Sequence, residues 1–146
     1  MNVVRLVEHI HGQLGWLAAL ALVHPAVLLR RPRRALFATV AATSLATVTA
    51  ALGALVYPHY REQVKPLLFA QTPSIGWAFE RKEHLGTGTV ILAWAGLAAH
   101  LGVRSAKHDD HARRLARVAH RAYVAAAFGA VVTAALGVAV ACTGSF

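Results

Sequence analysis

The sequence predicts an all-α membrane protein, a four-transmembrane-helix bundle of up-down-up-down topology. Three observations point there. Of 146 residues 57% are apolar and only 14% charged, against about a quarter charged in soluble domains. Four stretches are long and apolar enough to cross a hydrocarbon core, which takes about 20 residues at 1.5 Å rise. Finally, the basic residues cluster between these stretches, so a charge of +9 reports topology rather than nucleic-acid binding.

The first span, 12–29, is interrupted only by Gln13, His24 and Pro25. Arg30, Arg31, Arg33 and Arg34 follow it, where a signal peptide would carry a small-residue cleavage site, so it is read as retained. The second span, 35–57, has no charge; the third, 85–103, contains His100; the fourth, 122–143, is again uncharged. Together they form a single transmembrane domain over 1–146.

Ten of the 15 Lys and Arg residues fall in the connections 30–34 and 104–121. The positive-inside rule makes these two loops cytoplasmic, so the expected topology is N-out and C-out in a bacterial inner membrane. The outer connection, 58–83, holds Pro58, Pro66 and Pro73 among Tyr60, Leu67, Leu68, Phe69, Ile75, Trp77 and Phe79. It is too broken for a span and too apolar for a free loop, and is expected on the membrane surface as a short helix or hairpin.

The two halves resemble one another. Glu8-His9 matches Glu83-His84 at an offset of about 75, His24 matches His100, and Thr49-Ala50-Ala51-Leu52-Gly53 recurs as Thr133-Ala134-Ala135-Leu136-Gly137. A duplicated two-helix unit would relate spans one and three by a pseudo-twofold axis along the membrane normal. Gly15, Ala18 and Ala19, then Ala41, Ala42, Ser44 and Ala46, then Gly96, Ala98 and Ala99, and last Gly129 and Gly137 supply the small residues that close helix packing in lipid requires.

Nine histidines are the chemically loud feature, because a membrane interior holds polar groups only with partners or a function. His24 and His100 lie near the cytoplasmic ends of spans one and three; His9, His11 and His84 lie at the opposite ends of the same helices. From His11 to His24 is a rise of about 20 Å and from His84 to His100 about 24 Å, room for two stacked haems. A b-type haem takes two neutral imidazoles from facing helices at a common depth. The candidate cofactor residues are therefore His24 with His100, and His11 with His84, through which one or two haems b would be held by iron. His9 is the alternative to His11: 15 residues to His24 turn the helix face by only about 60°, whereas 13 turn it by about 140°. His120 and His59, which break the repeat, rank second.

On these His pairs the chain resembles the small di-haem b-type membrane cytochromes, of the cytochrome b561-like four-helix kind. The resemblance is architectural and covers the four spans. It implies electron transfer across or within the membrane, with quinone or a redox partner protein at the outer loop. Glu83 and Glu8, beside His84 and His9, would be proton acceptors if quinol is oxidised there.

Other features have plainer readings. Cys142 is a lone cysteine, which excludes an internal disulfide. Trp16, Trp77 and Trp94 read as interface or packing residues. His108 and His111, with Asp109 and Asp110, form a solvated loop that has the residue types of a metal site. Two other functions compete with the cytochrome: a non-catalytic small subunit or assembly factor of a larger complex, and a His-based metal or proton transporter. Lipid, and a homo-oligomer or larger complex, are the remaining expected partners; no nucleic acid is expected.

Overall fold

In a computed structural model, residues 3–29 and 35–143 are described; the cluster Arg30, Arg31, Arg33 and Arg34 lies outside them. The chain is an all-α four-helix bundle with helices α1 (Val3–Leu28), α2 (Leu36–His59), α3 (Lys65–Gln71), α4 (Pro73–Ser105) and α5 (Asp109–Thr143). Among the described residues, four helical stretches are long and apolar enough to cross a membrane. The principal packing pairs are α1 with α2, α1 with α5, α2 with α4 and α4 with α5. The four long helices thus form a closed square in which α1 and α4 stand on a diagonal.

The distribution of side-chain size is that of a bundle in lipid. Its main core is largely alanine, Ala19, Ala26, Ala42, Ala46, Ala93, Ala119, Ala126 and Ala130 among them, joined by Leu22, Leu29 and Tyr123. The large residues face outward: Phe37 is 84% exposed, Leu55 73%, Phe128 71% and Leu20 68%. Water would make that arrangement unfavourable. In hydrocarbon the outer leucines and phenylalanines lose nothing, while small inner residues let the backbones approach.

The helices run further than the apolar spans. The connection 58–83 is helical almost throughout. α2 continues past Pro58 into one π-helical turn, Tyr60–Val64, and then α3. α4 starts at Pro73, with its proline in the first turn, where the missing N–H has no helical partner to lose. The resulting hairpin is packed by aromatics: Phe69 meets Trp77 edge-on, and a Cβ on Gly76 would lie 2.9 Å from the Phe69 ring. Below it Leu68, Phe79 and Val140 form a second small core.

The connection 104–121 is likewise mostly the start of α5, leaving 106–108 between the helices. Asp109 and Asp110 occupy its first turn, where carboxylates favour the helix dipole, and Asp110 accepts from Arg113 at 2.5 Å. α1 passes through Pro25 without ending. The bundle thus has two distinct ends: a hairpin end, which carries α3, and a basic end, which carries the α4–α5 connection.

Candidate functional site

A cavity of ≈ 670 Å³ opens between all four long helices in the hairpin half, within the usual range for small-molecule and cofactor sites. Its origin is local sequence. Gly12 and Gly15 of α1 have nothing within 4 Å of where a Cβ would stand, and Gly86 of α4 has only the Thr133 methyl at 3.7 Å. The remaining wall is mostly Ala18, Ala46, Ala50, Ala130, Ala134 and Ala141, with Leu22 and Val90 toward the bundle centre. No bulky side chain from these glycine and alanine positions reaches the axis.

Polar groups gather toward the hairpin end of this wall: Glu8, His9, His11, Gln13, Tyr60 and Lys82, with Thr49, Thr89 and Thr133 further in. His11 is the most fixed of them. Its Nδ1 lies 3.0 Å from the carbonyl oxygen of Thr49. A carbonyl only accepts, so Nδ1 carries a proton, and in the neutral form of the ring Nε2 is the nitrogen with the lone pair. The ring lies on Gly53, where a Cβ would stand 2.8 Å from Cε1; any larger residue there would displace it. Thr49 is fixed in turn by its hydroxyl, which donates to the Leu45 carbonyl at 2.8 Å. Anchoring one ring nitrogen on a backbone carbonyl and freeing the other is how a metal-binding imidazole is oriented.

His84, the expected partner of His11, is exposed and outside the cavity lining. Its Nδ1 donates to the Glu80 carbonyl at 2.8 Å, so its Nε2 is also free. His9 is exposed at the rim. His59 is half-buried and meets Tyr60 edge-on.

At the basic end, His100 is 2% exposed and His24 is exposed. The two share a depth. His11 beside Thr49 places His24 level with about residue 36 of α2, and Thr43, 3.4 Å from the Ala93 carbonyl, places His100 level with about residue 36 as well. They do not share an orientation: His100 is turned into the bundle and His24 out of it. Nδ1 of His100 is buried without a hydrogen-bond partner, and so is Nδ1 of half-buried His120. His108 and His111 are exposed, and among the described residues no group of three or more His, Cys, Asp or Glu could hold a metal ion.

In the basic half Tyr123 of α5 fills the bundle axis. Its ring lies on Gly96, where a Cβ would stand 2.8 Å from Cδ2 and Cε2. Its hydroxyl donates to the Thr39 carbonyl at 3.0 Å and lies 2.7 Å from the Thr43 hydroxyl. Sequence reasoning missed Tyr123 and Lys82, and had no signal for Thr89, whose buried hydroxyl lies against Gly129 without a hydrogen-bond partner. The recurring Thr-Ala-Ala-Leu-Gly was the available clue. Thr49, Ala50, Thr133, Ala134 and Gly137 all line the cavity, while Gly53 seats His11 and Gly137 seats the Lys82 stem, 3.8 Å away.

No family model, curated protein or solved structure matches the chain.

Proposed function

We propose that this protein is a b-type haem-binding membrane cytochrome, with its principal haem in the hairpin-half cavity on Nε2 of His11. The observation that supports this most is the anchoring of His11: an imidazole held through Nδ1–H by the Thr49 carbonyl, on the wall of a cavity of ≈ 670 Å³. Gly12, Gly15 and Gly86 leave flat wall for a planar group, and the alanine wall keeps water from it. His84 of α4, diagonal to α1, is the proposed second ligand, and its use requires α4 to turn about its own axis, because His84 lies on the face opposite the lining residues Lys82, Gly86 and Val90. A b-type haem held there supplies one-electron transfer.

A second, basic-end haem would take His100, the enclosed imidazole whose Nδ1 lacks a partner, and requires the Tyr123 ring to leave the axis that it fills. His24 supplies the opposing ligand by depth but is exposed; His120, with its own buried unpartnered Nδ1, has the better packing. The proposed orientation keeps the basic end cytoplasmic, as the positive-inside rule requires. The hairpin cavity then faces a quinone or protein partner on the other side, in an inner membrane of bacterial type.

The deciding measurement is an absorption spectrum of detergent-purified protein, oxidised and dithionite-reduced, with a pyridine-haemochrome count. His11→Ala is expected to remove one haem per chain, and His100→Ala to leave the His11 haem in place. A folded wild-type protein without a Soret band, expressed with adequate haem supply, sinks the proposal and favours a non-catalytic subunit.

A further inference from the structure

Among the described residues one lysine or arginine lines the cavity, and no ion pair neutralises it. Lys82 lines the wall from α4, its ammonium 5.0 Å above the ring of buried Phe79. Phe79 is itself stacked on Tyr60 at 5.6 Å. Among the described residues the ion pairs are Lys65 with Glu80 and Arg113 with Asp110. Glu80 is therefore engaged by Lys65, and Glu83, next to Lys82 in the chain, stands outside the lining. Glu8, the one carboxylate in the lining, makes no ion pair with Lys82.

From Lys82 and Glu8 the wall changes character inward. It passes through Gly15 and Ala18 to Leu22, Ala46 and Ala130, about 21 Å along α1 from Glu8 to Leu22. A cation at one end and an apolar slot behind it select an amphiphile with an anionic head. Lys82 carries one positive charge that Glu8 does not pair, which matches a single carboxylate better than a doubly charged phosphate group.

We propose that Lys82 is the recognition group for a carboxylate carried by an amphiphile in this cavity. The carboxylate has two possible sources, a propionate of the haem or the head of a free fatty acid. The first shares the site with the cytochrome reading above; the second does not depend on it. The Phe79 ring holds the ammonium at the wall by its quadrupole, and Gly137 gives the lysine stem room.

The test compares acids with their esters on the full-length protein in detergent. Haemin and haemin dimethyl ester are titrated by tryptophan quenching, Trp16 being in the cavity wall. Parinaric acid and its methyl ester are titrated by their own emission. At least one acid is expected to bind wild type about tenfold or more tighter than its ester, the usual scale for a charge-assisted hydrogen bond. Lys82→Met should remove that preference and Lys82→Arg should keep it. Should Lys82→Met fail to fold, the acid-to-ester ratio on wild type decides alone.

Haemin binding that is indifferent to esterification and to Lys82→Met overturns this inference and leaves the cytochrome reading standing. Acid-selective binding of parinaric acid with none of haemin supports it and removes the cytochrome reading. Binding of neither acid overturns both.

Discussion

The two halves of the bundle are built from the same small residues and end in opposite states. In the basic half, Gly96 lets the Tyr123 ring into the helix interface, and that ring fills the axis and bonds across to α2. In the hairpin half, Gly12 and Gly15 admit nothing, and a cavity remains. Glycine in a membrane helix is thus a permission for close approach; whether a neighbour uses it decides between packing and a site. Without hydrophobic drive between helices in lipid, an unfilled space of this kind is not closed by collapse.

The largest expected effect comes from emptying the filled half. Tyr123→Ala removes a ring with no exposure and both of its polar contacts, and a loss of about 3–5 kcal/mol is expected by analogy with large-to-small core changes. Thermal or denaturant unfolding in detergent reads it. A loss below ~1 kcal/mol would mean that Tyr123 does not hold the basic half together.

Gly96→Ala comes next. The added methyl would stand 2.8 Å from the buried ring, so α4 and α5 must separate or the ring must shift, at about 1–3 kcal/mol for overpacking. The same change at Gly15 meets open space and should be the mildest. Stability is expected to be unchanged or to rise by about 0.5–1 kcal/mol from the helix preference of alanine over glycine. If Gly15→Ala destabilises as much as Gly96→Ala, the two halves do not differ as described. On the proposed cytochrome reading, the bulkier Gly15→Leu should leave folding intact while reducing the haem count per chain, since it fills the cavity rather than a contact.

Much of the fold was legible because it depends on composition along the chain. The four spans, the small-residue interfaces and the alternation of helix direction all follow from local hydropathy and spacing. Helix ends were less legible: 104–121 looks like a loop by hydropathy yet is chiefly helical, and 58–83, expected as a short helix or hairpin, is helical almost throughout. There, backbone hydrogen bonding continues wherever proline and glycine permit, whether or not the segment is apolar. The site was legible as a set of histidines at common depths and not as an arrangement. His24 and His100 differ little in level, but one is exposed and the other enclosed, because rotation about a helix axis is set by packing that no span length encodes.

The sequence by itself determined a membrane bundle of four helices, its basic end, and the residue types available at each depth, since these follow from the solvent each segment must meet. Tertiary structure alone decided which glycines are filled and which histidines face inward. It also decided that His11 and Lys82, unrelated by any motif, share one cavity. Those outcomes depend on side chains from four separate helices meeting on one axis, and a meeting of that kind is written in no single stretch of the chain.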